Sequence, residues 1–288
     1  MTYYFIDDNV SPLGGAELTL QAIKNYKPGS IISINTRDIC THNVDPNGIY
    51  VLGNLATFDI HVARALYRLM DKAKFVKIEF DYGYCIARGP IPHTYFYQKE
   101  CDCGSITNNV IGQMYTIIRK NASHLFYMSK AQMDIHNKQL TIANPNQTVL
   151  SSCFDRLTIS TLRPALSYTK NGRYLIIDGR PGWHRIAKGV DTSIKYAIDH
   201  GLDYDVKSTS NHQDMMKLMN SYYGLIFLPY IEDTCPRVTI EAKLAGCNVI
   251  TSEKAQHTTE EWWSKPLNEV YDYIENRPKI FWQVMESI

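Results

Sequence analysis

Short apolar runs alternate with amphipathic segments along the first half of the chain. The amphipathic segments carry apolar residues at helical spacing and are predicted as helices at residues 16–26, 59–70, 109–119 and 130–139. The apolar runs are too short for helices and are predicted as strands at residues 3–6, 30–34, 75–78, 124–128 and 148–150. This alternation favours a parallel sheet with helices on both faces.

A second series of the same kind begins near residue 173. The predicted strands are residues 174–177, 204–207, 224–228 and 248–250, and the predicted helices are residues 189–200, 213–221 and 236–245. The polar stretch at 151–172 has no strong period and is interpreted as a hinge. We therefore predict an α/β chain with domains at 1–160 and 161–260, and a C-terminal helix at 261–288 that packs back across the hinge.

Composition narrows the class of protein. The 288 residues suit two α/β domains of ordinary size or one large domain, and 44% hydrophobic with 20% charged residues is normal for a globular chain. A net charge of +1 gives no bulk electrostatic argument for nucleic acid or membrane. The N-terminus reads as a first strand rather than a signal peptide, and no apolar stretch approaches the roughly 20 residues that span a bilayer. Seven scattered cysteines favour a reducing, cytoplasmic compartment.

The segment at 224–250 predicts a strand, a loop, a helix and another strand. Pro236 suits the first helical turn, and Gly246 suits the position just after the helix. The amides around Thr234 and Cys235 would then point out of a helix N-terminus, where an anion is favoured.

Two charged residues of this predicted helix complete a candidate nucleotide site. Glu241 lies far enough along the helix to reach a ribose hydroxyl beside the anion, and Arg237 stands at its start. The alternative is an ordinary strand–helix–strand unit with a surface glutamate, and the spacing leaves both interpretations open.

Three cations follow the strand at 174–177. Arg180, Arg185 and Lys188 would lie at the carboxyl edge of the second sheet, where ligands of open α/β sheets bind, and could neutralise a diphosphate. The alternative is a solvated basic loop.

Two glycines, Gly14 and Gly15, separate the first strand from the first helix and allow a ligand to approach the backbone closely. The surrounding residues do not form the Gly-x-Gly-x-x-Gly pattern. A dinucleotide-binding site is therefore disfavoured.

Together these motifs resemble the GT-B glycosyltransferases of family 4, of which this chain would be a short, phage-type member. The shared pattern is strand–Gly-Gly-Ala-Glu–helix at the N-terminus, Gly-Arg with a later Lys-Gly at mid-chain, and an acidic residue separated by seven residues from Glu-Ala. The resemblance implies two Rossmann-like domains facing across a cleft, a nucleoside diphosphate sugar such as a UDP-sugar as co-substrate, and transfer with retention. No Asp-x-Asp carboxylate cluster stands where it would hold a metal, so we expect metal-independent transfer without a further cofactor.

The resemblance also implies roles for individual residues. The family's paired glutamates correspond to Asp233 and Glu241, the first of which is one methylene shorter here. Its diphosphate-binding Arg and Lys correspond to Arg180 and Lys188, with Arg185 available to share the role. Its N-terminal glycines, here Gly14 and Gly15, approach the diphosphate from the opposite domain.

Candidate catalytic acids stand at the end of the strand at 75–78. Family members often carry a His near this position, and this chain carries Glu79 and Asp81. Either carboxylate could orient an acceptor hydroxyl or accept its proton. The alternative is a pair of solvated loop acids.

The stretch at 81–108 is predicted as a long polar loop, and loops of that length are usually functional or disordered. Its aromatic and cationic residues suit stacking on a sugar or a flipped base, and we predict acceptor contacts from Arg88, Tyr95 and Lys99.

Four residues of the same stretch belong to the types that bind zinc: Cys85, His93, Cys101 and Cys103. A Cys-x-Cys pair with a distant single Cys is not the spacing of a usual zinc finger. Zinc therefore stays open, and the sequence assigns no metal ligand.

The sequence thus predicts a glycosyltransferase that binds a nucleotide sugar and an acceptor, either a saccharide or modified DNA with a hydroxymethylated base. The compact size and the loop with tyrosines and cations lean slightly towards DNA or another anionic polymer. A catalytically degenerate module that binds nucleotide sugars is the alternative.

Overall fold

A computed structural model describes residues 1–8, 14–27, 29–55, 59–104, 110–140, 144–163, 169–178, 181–209 and 211–288. Its described residues form two compact units. The first contains Met1–Cys153 together with Arg277–Ile288, and the second contains Phe154–Asn276. The first unit thus also includes the C-terminal residues of the chain. The division between the units falls a few residues before the predicted boundary at 160.

A six-stranded parallel sheet forms the centre of the first unit. Its strands lie in the order β2-β1-β3-β4-β5-β6. They are β1 (Tyr3–Asp7), β2 (Ile31–Asn35), β3 (Ile49–Leu52), β4 (Lys74–Glu79), β5 (His124–Tyr127) and β6 (Gln147–Val149). The helices of this unit are α1 (Gly15–Tyr26), α2 (Ile60–Lys72), α3 (Pro90–Tyr97), α4 (Val110–Asn121), α5 (Lys130–Gln139) and α12 (Arg277–Ser287), with a 3-10 helix at Thr36–Cys40.

Both faces of this sheet are covered by apolar side chains. On one face, Tyr4 stacks on Tyr50 at a centroid distance of 4.6 Å, within a cluster that α2 and α4 complete. On the other, α12 packs against α1, and the Trp282 indole donates to the carbonyl of Ile23 at 2.8 Å. A single aromatic helix thus completes the core of the first unit.

A four-stranded parallel sheet in the order β10-β9-β7-β8 forms the second unit. Its strands are β7 (Tyr174–Ile177), β8 (Tyr204–Lys207), β9 (Gly224–Phe227) and β10 (Asn248–Thr251). Its helices are α6 (Arg156–Leu162), α7 (Trp183–Ala187), α8 (Val190–Asp199), α9 (His212–Ser221), α10 (Arg237–Leu244) and α11 (Leu267–Glu275), with 3-10 helices at Gln256–Thr259 and Glu261–Ser264.

The predicted α/β class with two parallel sheets is confirmed, and each strand and helix predicted before residue 260 is present within a few residues. The prediction of one C-terminal helix at 261–288 is wrong: the segment forms a 3-10 helix and two α-helices, α11 in the second unit and α12 in the first, because Pro278 cannot continue the hydrogen bonding of α11. Besides the 3-10 helices, four elements among the described residues were not predicted. The strand Ile49–Leu52 was overlooked, and the helix Pro90–Tyr97 lies in the stretch predicted as a loop. The helix Arg156–Leu162 lies in the stretch interpreted as a hinge, and the short helix Trp183–Ala187 lies in the loop that carries the predicted cations. No helix among the described residues is long and apolar enough to cross a membrane.

Candidate active site

The strand order of the second unit creates one place where a ligand would be expected. From β7 the chain goes on to β8 on one side of the sheet, and β9 then adds on the other side. The connections that follow β7 and β9 therefore start at the carboxyl ends of neighbouring strands and lead to strands on opposite sides of the pair. Ligands of open parallel sheets bind at such a switch point.

The two loops are in direct contact at Gly189. This residue caps the N-terminus of α8 with a left-handed φ of 64°, and a Cβ there would lie 1.7 Å from the carbonyl oxygen of Leu228. Beside it, the amide of Tyr230 donates to the carbonyl of Ala187 at 3.0 Å. Only glycine satisfies both the backbone angle and the close approach, so this residue fixes the spacing of the two loops.

Lys188 and Asp233 form an ion pair across this contact. The Lys188 ammonium lies 2.6 Å from the Asp233 carboxylate; the lysine side chain is 50% exposed and the aspartate 17%. The Asp233 backbone donates to Lys254 and accepts from the amide of Gln256 at 2.8 and 3.0 Å. The half-exposed Lys188 thus pairs with Asp233, whose backbone is fixed by hydrogen bonds. An anionic ligand could therefore bind Lys188 in place of Asp233.

The other predicted cations of this loop differ in environment. Arg185 is held by two carboxylates, Asp178 and Asp191, the second at 2.7 Å. Arg180 lies outside the described residues. Of the two cations that the structure describes, Lys188 is therefore the one whose geometry supports a role at the switch point.

The helix α10 follows the loop after β9 as predicted. Pro236 occupies the N-cap position, one residue before the first helical residue, and provides no capping side chain. The preceding residues Thr234 and Cys235 are buried. At the other end Gly246 has a φ of 69°, and its amide and that of the next residue donate back into the last turn, so its predicted place after the helix is confirmed.

Glu241 is buried inside the second unit rather than solvated on its surface. Its carboxylate lies 2.8 Å from Nε2 of His212 and 3.4 Å from Nε of Arg237, whose guanidinium stacks on Phe154 at 3.7 Å. Burial acts to raise the pKa of Glu241, but the hydrogen bond with His212 and the charge of Arg237 outweigh it and hold the pKa below its usual value. A buried, ionised acceptor therefore stands on α10.

The first unit places its two predicted glycines at an equivalent position. Gly14 caps α1 and Gly15 begins it, after β1, whose neighbours β2 and β3 continue on opposite sides. At the carboxyl edge there, the Asp7 carboxylate accepts from the amide of Asn54 at 2.7 Å. This is the switch point of the first sheet.

The two candidate catalytic acids have unlike environments. Glu79 ends β4 and is buried, with the buried Lys77 ammonium 3.3 Å from its carboxylate. Asp81 is a third exposed and accepts from Nε of Arg88 at 2.7 Å, while Arg88 also donates to Asn54 at 2.8 Å. Neither acid is a freely solvated loop residue, and Asp81 is the more accessible.

The predicted acceptor-binding residues have different surroundings. Arg88 is held by Asp81, as described, and Lys99 is exposed beside the carboxylate of Asp102 at 3.4 Å. Tyr95 lies on α3, where it is 45% exposed next to Phe96 at 53%. The helix α3 therefore presents aromatic rings to solvent, whereas Arg88 and Lys99 each lie beside a carboxylate.

Three residues of the site were missed by sequence reasoning. His212 was not among the predicted site residues, although it pairs with Glu241. Asp178 directly follows a predicted strand, and this position was a usable signal that its carboxylate would pair with the cations that follow. Gly189 was used only as part of the Lys-Gly motif, and its contact with Leu228 was not predicted. Nothing in the spacing could have indicated His212, because it is 29 positions from Glu241.

The sequence matches no known family model and no curated protein. Solved structures are similar in fold. HepE of Anabaena, in complex with UDP-glucose, is 14% identical with a TM-score of 0.59, covering 100% of this chain and 99% of that one. WaaG, a glycosyltransferase involved in lipopolysaccharide biosynthesis, is 12% identical with a TM-score of 0.54, covering 96% and 90%.

A third similar structure is an α-glucosyltransferase in complex with UDP and a 13-mer DNA containing an HMU base. It is 10% identical with a TM-score of 0.51, covering 99% of this chain and 89% of that one. At such identities the similarity shows the fold. The predicted fold, two Rossmann-like domains of the GT-B type, is confirmed.

Proposed function

We propose that this chain, with the GT-B glycosyltransferase fold, is a glycosyltransferase that transfers a sugar from a nucleoside diphosphate sugar to an acceptor hydroxyl. The observation that carries the proposal is the Lys188–Asp233 pair at the switch point of the second sheet, fixed by the contact at Gly189. The solved structures of this fold include complexes with UDP and UDP-glucose, and a donor of that class presents the diphosphate that Lys188 would bind.

The donor would be held by groups on both sides of the loop contact. Lys188 leaves Asp233 for the diphosphate, and Arg185 and Arg180 add positive charge near it, while Asp233 is freed to accept from a donor sugar hydroxyl. The amides at Thr234 and Cys235 and the first turn of α10 face the developing negative charge. Charge-assisted hydrogen bonds of this kind contribute roughly 1.5–3 kcal/mol each.

Glu241 is the proposed ribose acceptor, and His212 and Arg237 keep it ionised for that role. A carboxylate with a lowered pKa stays an acceptor-only group, which suits paired ribose hydroxyls. In the first unit, Gly14 and Gly15 are proposed to contact the diphosphate through their backbone.

For the chemical step, we assign the orientation of the acceptor hydroxyl to Asp81 and leave Glu79 as an internal partner of Lys77. The exposed fraction of Asp81 and its bond with Arg88 suit contact with a substrate. Transfer is proposed to proceed with retention, as in the family that the motifs resemble, and with the cations Lys188 and Arg180 rather than a metal ion neutralising the departing diphosphate.

The acceptor is proposed to be a saccharide. Exposed rings on α3, among them Tyr95, suit stacking on a sugar, whereas the carboxylates beside Arg88 and Lys99 reduce the positive charge that DNA phosphates need. DNA is the second candidate, favoured by the similarity to the α-glucosyltransferase complexed with DNA. Binding of a DNA acceptor would fall steeply between about 50 and 200 mM salt, and binding of a neutral saccharide would not.

Calorimetry with UDP tests the donor site. The wild type should bind UDP, and Lys188→Met should bind it roughly ten- to hundredfold more weakly, because one charge-assisted contact is lost. Lys195→Met, which removes an exposed lysine paired with Asp199 on α8, is the matched control and should bind normally. Equal affinities of the Lys188 and Lys195 variants would exclude the assigned site.

A further inference from the structure

Four metal-binding side chains converge in the segment between β4 and α4. The Sγ atoms of Cys85, Cys101 and Cys103 and a ring nitrogen of His93 all lie within 4.8 Å of one another. Sequence spacing alone did not assign them to a metal site. Among the described residues, no other group of three or more His, Cys, Asp or Glu side chains converges in this way.

Three of the distances within this group are close to those of a tetrahedral shell. Nδ1 of His93 lies 3.4 Å from Sγ of Cys85 and 3.4 Å from Sγ of Cys103, and the sulfurs of Cys85 and Cys101 are 3.5 Å apart. Zinc bound tetrahedrally at about 2.3 Å from sulfur and about 2.0 Å from nitrogen separates its ligand atoms by roughly 3.5–3.8 Å. The four side chains therefore surround a space of the size that one such ion fills.

The backbone brings these residues together through two left-handed positions. Arg88 has a φ of 63° between Cys85 and His93, and Gln98 has a φ of 53° where α3 ends before Cys101. Non-glycine residues persist in this conformation only where their surroundings hold them. These two left-handed residues turn the chain on both sides of His93, so that the three cysteines can lie around the same point as the histidine.

The surroundings of the group are apolar. Cys85, His93 and Cys103 are each less than 5% exposed, and the two cysteines pack in a cluster with Tyr82 and Tyr84. Nε2 of His93 is buried without a hydrogen-bond partner among the described residues. Burying a histidine with unsatisfied ring nitrogens among thiols is unfavourable, whereas a metal cation would bind Nδ1 and the thiolates together.

We propose that Cys85, His93, Cys101 and Cys103 bind one structural zinc ion. Three thiolates and one imidazole are a usual ligand set of closed zinc sites, and a full protein shell leaves no position for a reacting water. The sulfur separation of Cys85 and Cys101 is far beyond the roughly 2.05 Å of a disulfide. Ligand atoms this close surround a single ion rather than a cluster of several irons.

The zinc ion would hold the segment that carries α3. Two ligands precede or lie within this helix and two follow it, so the ion closes a loop around the helix and fixes its exposed aromatic face. The site stands on the geometry of the first unit alone and does not depend on the proposed transferase activity. Its failure would leave the donor site in the second unit untouched.

Elemental analysis of the purified, reduced protein tests the proposal. The wild type should contain about one zinc ion per chain. Cys101→Ser should lose most of the metal, while Cys40→Ser, which removes a cysteine elsewhere in the first unit, should retain it. The proposal is overturned if the wild type remains free of zinc after equilibration with it, or if the Cys101 and Cys40 variants bind equal amounts.

A cobalt spectrum tests the ligand set without any variant. The wild type with Co²⁺ in place of zinc should show strong tetrahedral bands in the visible range and thiolate charge-transfer absorption in the near ultraviolet. A weak octahedral spectrum without charge transfer would contradict the three-thiolate shell. Removing the metal with a chelator should speed hydrogen exchange severalfold at residues 81–104 and leave β7 and β9 unchanged; unchanged exchange at 81–104 would contradict the structural role.

Discussion

Replacing Gly189 by alanine perturbs the contact on which the candidate donor site depends. The new Cβ would lie 1.7 Å from the carbonyl oxygen of Leu228 and 2.6 Å from its carbon. Both obstacles are backbone atoms at the end of β9, so no flexible side chain can move aside. One of the two loops has to recede, and Lys188, the adjacent residue, moves away from Asp233.

The magnitude has two parts. The left-handed φ of 64° costs an alanine roughly 1–2 kcal/mol whatever the space around it. Restoring an ordinary contact requires a displacement of roughly 1–2 Å, and a misplacement on the order of 1 Å at a reacting site can cost about a hundredfold in rate. We expect Gly189→Ala to lower both the stability of the second unit and its affinity for UDP.

Gly201→Ala separates these two parts. Gly201 follows the C-terminal end of α8 with a left-handed φ of 62°, but an added Cβ would meet nothing within 4 Å. This control should carry only the backbone cost. Thermal unfolding and UDP calorimetry of both variants are the assays. If Gly189→Ala is no less stable and binds UDP no more weakly than Gly201→Ala, the two loops do not meet as described and the reasoning is refuted.

Three further predictions concern other groups. Glu241→Gln should weaken UDP binding by roughly 1–3 kcal/mol with an unchanged circular dichroism spectrum, and calorimetry showing undiminished affinity would remove Glu241 from the ribose site. Burial lowers the pKa of His257 to about 3, so on acidification the unfolded chain binds a proton at this residue before the folded chain does. The free energy of unfolding should therefore fall below about pH 6.5 by up to about 1.4 kcal/mol per pH unit. Urea denaturation of His257→Gln at several pH values should show a smaller decrease in this free energy per pH unit than the wild type. An equal slope would show that His257 is not buried as a neutral ring. Tyr95→Ala with Phe96→Ala should reduce transfer to an acceptor while release of UDP from the donor persists; equal loss of both activities would contradict an acceptor role for α3.

The sheets and most helices could be predicted because their signals are local. The apolar run at Ile49–Leu52 carried the same signal as its neighbours and could have been recognised. The helix Pro90–Tyr97 was harder, because two prolines and a row of aromatic residues give no amphipathic repeat. Its N-terminal Pro90 was nevertheless a usable sign of a helix start.

The contacts that define the candidate sites were beyond sequence reasoning for a different reason. Lys188 and Asp233 are 45 positions apart, and their pairing depends on which strands are neighbours. The four zinc-binding residues likewise meet only because the chain reverses at Arg88 and Gln98. Residue types and spacing therefore suggested the chemistry, while the three-dimensional pairing had to come from the structure.

Release of nucleoside diphosphate from a panel of nucleotide sugars is the most direct test of the central claim. The wild type should release the diphosphate from at least one donor, with water or a saccharide as acceptor. Lys188→Met should be slowed at least tenfold, and Lys195→Met should match the wild type. Binding of a nucleotide sugar without any release, for every donor and acceptor tried, would contradict the transferase and identify a binding module instead.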